Sequence, residues 1–216
     1  MPTIDPDKTV ATRGLPNNGG VDVVPADRPQ TYSAGARHFH WWTFAFVAIQ
    51  FVLGFAMLVR ASWLDIWDFL TNTLYSAHKL LGMIILLLVI ARLFYRLRRG
   101  APDDEPSLEP WQKIISHLTH WAIYALLILV PVIGWFGVQL YPALDVFGLF
   151  SLPAVVPPNQ ATSAWVLWLH SITAFALAFL LVMHVGAALF HHFIRKDGVL
   201  ARMVPWLGGP DRPPGG

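Results

Sequence analysis

Cysteine is absent from the 216 residues, which excludes disulfides, thiolate metal sites, iron–sulfur clusters and the paired-cysteine attachment of c-type haem. Charge is scarce as well. Asp, Glu, Lys and Arg make up 13% of the chain against 55% hydrophobic residues, and the mean hydropathy is +0.50, outside the usual balance of a water-soluble domain. Acidic residues are missing altogether from four long apolar stretches, 41–59, 74–94, 118–140 and 165–193. Each reaches the about 20 residues that a helix needs to cross ~30 Å of hydrocarbon. The expected fold is therefore all-α, an integral membrane four-helix up-down bundle. The same lack of intramembrane carboxylates argues against a proton-coupled transporter. The formal net charge is only +2, and no nucleic-acid partner is expected.

The few charges that exist are unevenly placed. In an up-down bundle, thirteen of the fifteen Lys and Arg fall on the side of the two termini, among them Arg37, Arg92, Arg96, Arg98, Arg99, Lys113, Arg195, Lys196 and Arg202, leaving Arg60 and Lys79 towards the other. The positive-inside rule then puts both termini in the cytoplasm of a multi-pass protein, expected in the bacterial inner membrane. The ten tryptophans, Trp41, Trp42, Trp63, Trp67, Trp111, Trp165 and Trp206 among them, cluster at the helix ends, as an interfacial aromatic belt requires. Residues 1–36 have no apolar period and read as a cytoplasmic tail, without the basic start and short apolar core of a cleavable signal peptide. Helix 1 would then serve as an uncleaved membrane signal, with Ser33 as a plausible cap. The membrane domain is expected over 37–205 and a flexible tail over 206–216. Pro102, Pro106 and Pro110 break the chain between helices 2 and 3, Pro131 with Gly134 and Gly137 permits a kink in helix 3, and the proline-interrupted 141–161 is expected to lie on the external interface.

With cysteine absent, histidine is the strong metal ligand left. His170 and His184 are fourteen residues apart on helix 4, about four turns and ~21 Å of rise, which returns them to nearly one face. A lone histidine in a membrane helix can equally serve an interhelical hydrogen bond, but two in register near opposite surfaces suit two metal centres. Connectivity supplies a partner at each depth. His40 starts helix 1 level with His184, and His78 starts helix 2 level with His170. Paired imidazoles on both axial positions close an iron to exogenous ligands and suit electron transfer by two non-covalent haem b groups. Gly54, Gly82 and Gly186 would admit a flat porphyrin or simply pack helices. His191 lies seven residues beyond His184, about 10 Å nearer the cytoplasm. There it would donate protons to a quinone or merely reach the interface. His117 and His120 are read as partners of haem propionates or headgroups, not as iron ligands, and His38 and His192 lie on the same side.

His40-Trp41, Ser76-Ala77-His78 with Gly82, Leu129-Val130-Pro131-Val132-Ile133-Gly134, the run from His184 to Phe193, then Lys196-Asp197 and Arg202-Met203-Val204-Pro205 resemble the bacterial cytochrome b561 family. The likeness covers about residues 33–205 and is nearest the small di-haem branch to which superoxide oxidase belongs. It implies the same four ligands, electron flow from superoxide outside to ubiquinone, and a quinone-side role for His191. Two features depart from that pattern. The N-terminal tail is longer, and the external mouth sets Arg60 and Lys79 against Asp65, Asp68 and Asp145, where an anionic donor calls for a basic surface. A cytochrome b subunit joining a dehydrogenase or other redox partner to the quinone pool therefore remains open, as does a haem-free bundle that binds a metal ion or relays protons.

Overall fold

A computed structural model describes residues 31–207. The first thirty residues and the last nine, which carry most of the two expected tails, lie outside the described residues. Four long helices dominate: α1 Ala34–Met57, α2 Phe69–Arg99, α3 Pro110–Leu140 and α4 Gln160–Phe190. All four are long and apolar enough to cross a membrane. Their starts follow from local chemistry. Ser33 Oγ accepts from Ala36 N, Asp68 Oδ1 from Thr71 N and Asn159 Oδ1 from Thr162 N, each satisfying a first-turn N–H that the helix itself leaves unpaired. At α3, Gln112 Oε1 accepts from Glu109 N and Pro110 fills the first helical position. Because Ser33 is the cap, residues 34–36 belong to α1 rather than to the tail that the sequence reading extended to 36.

The bundle is apolar on both its inside and its outside. Val47, Ile85, Val89, Tyr124, Leu127, Val130 and Leu177 form the buried core, while Val52, Phe55, Leu87, Leu118, Phe175, Phe179 and Val182 face outward. Outward apolar faces of this extent are costly in water and natural against lipid. Helix α1 packs along α2, and α3 packs most extensively along α4, whereas α4 makes few backbone approaches to α1 or α2. The seam between α4 and the α1–α2 pair is thus the loosely packed part of the bundle. Helix α3 runs unbroken through Pro131.

The ends carry smaller devices. Both α1 and α4 finish in a widened π-helical turn, Leu58–Trp63 and His191–Arg195. Between α3 and α4 two short antiparallel strands, β1 Asp145–Val146 and β2 Phe150–Ser151, pair in register. This hairpin was not expected from the sequence. Its turn uses Phe147 and Gly148 at positive φ, Asp145 Oδ2 accepts from Gly148 N, and Phe147 N donates to Ser76 Oγ of α2. At the opposite end Tyr32 N donates to Arg202 O, so the two ends of the described chain meet on one side.

Candidate haem-binding site

Histidines cross the loose seam at two levels. The rings of His40 on α1 and His184 on α4 stand 6.2 Å apart between centroids, and those of His78 on α2 and His170 on α4 stand 6.1 Å apart. Two imidazoles sharing one metal through ~2.0 Å metal–nitrogen bonds have ring centres about 6.3 Å apart, so both pairs have the spacing of a bis-imidazole clasp. All four side chains are half-buried.

Glycine shapes the His78–His170 pair. A Cβ on Gly134 would lie 2.9 Å from both Cε1 and Nδ1 of His170, and one on Gly54 would lie 3.3 Å from Cε1 of His78. The missing side chain of Gly134 is what lets the His170 ring lie against α3, and that of Gly54 eases the approach of the His78 ring to α1. His170 Nδ1 is 2.9 Å from Val130 O, and since a carbonyl only accepts, the proton is on Nδ1 and Nε2 presents a bare lone pair. That is the tautomer a metal ligand needs, fixed from behind by a backbone acceptor. His78 Nδ1 and the nearby Gln50 Oε1 are buried without hydrogen-bond partners, although Gln50 Nε2 donates to His78 O. Between His78 and His170, with Gln50, Lys79, Gly134 and Trp135 in the walls, lies a cavity with about 610 Å³ of atom-free space, part of it open to the surroundings.

The His40–His184 pair is more crowded. Arg92 Nη2 is 2.9 Å from His40 Nδ1. A guanidinium only donates, so His40 accepts there and carries its proton on Nε2. Iron bonded through Nε2 needs that nitrogen bare, so metal ligation and the Arg92 contact compete, and a cofactor carboxylate is the natural alternative acceptor for the guanidinium. His120 stands 5.2 Å from His184 between ring centroids, too close to share an iron with it at about 6.3 Å. The sequence reading placed His120 only near propionates or headgroups, and its immediate contact with His184 was missed. The i, i+3 step from the exposed His117 was the available signal, since it sets His120 deeper in the bundle. His117 itself pairs with Asp104, Nε2 to Oδ1 3.0 Å.

His191 begins the π-helical end of α4, and its Nδ1 is 2.6 Å from Asp197 Oδ2. His38 is exposed and His192 half-buried. At the other end of the bundle Arg60 is paired with Asp68 at 2.6 Å, and Lys79 Nζ donates to the carbonyls of Ala143 and Asp145. Arg60 and Lys79 are therefore both already engaged. Thr71 N–H first, then the Arg60 guanidinium, hold the Asp68 carboxyl down at about 2 from its ordinary 3.8. Among the described residues no group of three or more His, Asp or Glu side chains is arranged to hold a bare metal ion.

The loose seam, the two clasp distances, the glycine cradle and the backbone-fixed tautomer of His170 all fit haem b. Comparison with known proteins agrees. The family model for prokaryotic cytochrome b561 matches residues 31–206. Cytochrome b561 homolog 2 of Escherichia coli K12 is 31% identical over 177 residues, 82% of this chain and 92% of that protein. Cytochrome b561 homolog 1 of the same organism is 31% identical over 169 residues, 78% and 93%. A protein of Yersinia pestis named as a probable superoxide oxidase, CybB, is 33% identical over 131 residues, 59% of this chain and 73% of that one. The protein belongs to the prokaryotic cytochrome b561 family, multi-pass bacterial membrane proteins of electron transfer.

Proposed function

We propose that the protein is a di-haem cytochrome b of the bacterial inner membrane that passes electrons to ubiquinone and takes them from superoxide. The observation that carries this reading is the twin imidazole spacing of 6.2 and 6.1 Å on α4. Two haem b groups, one per pair, would supply one-electron carriage between the two membrane faces. His78 and His170 hold the outer group, with Val130 O keeping the His170 proton on Nδ1. His40 and His184 hold the inner group, beside the Arg92 cation. The charge distribution orients the inner pair, with both chain ends, towards the cytoplasm. His191 donates protons to ubiquinone at that face. The net reaction balances as two superoxide anions, one quinone and two protons giving two dioxygen and one quinol. The relative from Yersinia pestis is named for superoxide.

The Arg60–Asp68 pair and the carbonyl-bound Lys79 favour a second reading for the donor alone, a redox protein that docks outside in place of superoxide. Purified protein is mixed with superoxide and a soluble ubiquinone. Quinone reduction above the uncatalysed rate supports the first reading. Its absence with haem intact, together with a redox protein that co-purifies from the membrane and reduces the haems, supports the second.

A further inference from the structure

Three titratable groups gather at the end of α4, and the sequence pattern Lys196-Asp197 brings the second to the first. After the π-helical turn Lys196 adopts the left-handed conformation, φ 55 and ψ 34, which reverses the chain. Asp197 thereby returns against its own helix. Its Oδ2 lies 2.6 Å from His191 Nδ1 and 3.5 Å from Arg195 Nε, and its Oδ1 accepts from Val199 N at 3.2 Å. The side chains of His191 and Asp197 are only 13% and 8% exposed. A carboxylate so placed accepts a hydrogen bond from the Nδ1–H, fixes the orientation of the ring and leaves Nε2 as its open position.

Glu105, from the connection between α2 and α3, completes the group. It is 9% exposed, and its Oε2 has no hydrogen-bond partner. Both carboxyl oxygens lie 3.2 Å from where a Cβ on Gly198 would stand, so they press against the residue that follows Asp197. A buried carboxyl without a partner is expensive to keep ionised. Burial pushes Glu105 up from the ordinary carboxylate range, Asp197 reinforces the shift, and Arg202 and His191 oppose it. The surrounding charges are otherwise committed. Arg202 Nη2 donates to Asp103 O and its guanidinium lies over the Tyr32 ring, Arg195 Nη2 donates to Ser107 O, and Asp104 pairs with His117.

We propose that Asp197 and Glu105 are the proton-handling carboxyls of the His191 site, Asp197 orienting the imidazole and Glu105 holding the proton that recharges it. This rests on the reading of His191 as the proton donor to quinone. Two electrons from the haem chain and two protons convert quinone to quinol. In each proton step the His191 Nε2–H bond breaks and an O–H bond forms on the reduced ring. Glu105 makes no direct hydrogen bond to His191, so the imidazole regains its N–H through intervening water as the Glu105 O–H bond breaks, and the carboxylate is reprotonated from the cytoplasmic side. Asp197 is a positioning residue that keeps the ring in place and balances its charge.

The test uses the full-length, haem-loaded protein, chemically reduced and then mixed with a short-chain ubiquinone while haem reoxidation is followed across pH. Glu105→Gln is expected to slow reoxidation at least about tenfold near pH 8 and little near pH 5.5, where solvent protons are plentiful, with KM for quinone unchanged. Glu105→Asp restores the wild-type pH profile in part. Asp197→Asn lowers the rate at every pH. The infrared spectrum at neutral pH shows a protonated-carboxyl band in wild type that is missing from Glu105→Gln. A wild-type rate profile in Glu105→Gln, or a spectrum without that band, overturns the proposal while His191→Ala still abolishes quinone reduction. A His191→Ala protein that reduces quinone normally overturns the underlying reading, and this proposal with it.

Discussion

Replacing Gly134 by alanine is expected to perturb one of the two proposed haems and to leave the other untouched. The added Cβ would stand 2.9 Å from Cε1 and Nδ1 of His170, where ordinary contact begins at 3.4 Å, so the imidazole must retreat by about 0.5 Å. Helix α3 is continuous here, and its Val130 carbonyl is the acceptor that holds His170 Nδ1 at 2.9 Å. Moving the ring away strains or breaks that bond, worth about 1 kcal/mol. Lost support behind a metal-bound histidine typically lowers metal affinity about 10–100-fold, which is roughly 1.4–2.7 kcal/mol. The Gly134→Ala protein should therefore purify with the outer site depleted and the inner one full, read as a haem-to-protein ratio falling from two towards one, and external haem should titrate the deficit back. Two firmly held haems and an unchanged reduced spectrum would refute the reasoning, because the ring would then have room that the structure denies it.

Two further outcomes follow from the same geometry. His120→Ala should keep both haems, since its ring centre at 5.2 Å from that of His184 is too near for a shared iron, and loss of the inner haem on extraction and assay would show that His120 is a ligand. Asp68 is held below its ordinary pKa by Thr71 N–H and Arg60, so its contribution to stability is complete above 3.8 and fades as pH falls through about 2. The melting-temperature deficit of Asp68→Ala in detergent should be flat from about pH 8 to 5 and shrink below about pH 4, and a deficit that persists undiminished in acid would contradict this.

The four spans were legible because lipid imposes a coarse rule, long runs without Asp or Glu, that the chain meets four times. The histidine pairs were legible for a related reason. Rigid helices convert spacing into depth, so His170 and His184 announce two levels, and the antiparallel connections bring His40 and His78 to the same two levels. What escaped the sequence was decided by short, irregular backbone. The hairpin of β1 and β2 depends on single residues at positive φ, Phe147 and Gly148, inside a segment whose prolines read only as breaks. The return of Asp197 to His191 likewise hangs on one left-handed lysine, Lys196, which no periodicity encodes. The proximity of His120 to His184 depends on how α3 is rotated against α4, a property of packing rather than of either helix alone. Gly186, read as room for a porphyrin or for packing, has nothing within 4 Å of where a Cβ would stand, while Gly54 makes room for the His78 ring.

The most direct test is a haem count on the purified protein and on four single alanine variants, at His40, His78, His170 and His184, with the pyridine haemochrome spectrum as readout. Two b-type haems per chain are expected in the wild type. The His40 and His184 variants should each lack one haem with the same spectral signature, and the His78 and His170 variants should each lack the other. A colourless wild-type protein, a single haem per chain, or a variant pattern that pairs the four histidines differently would contradict the twin-clasp arrangement.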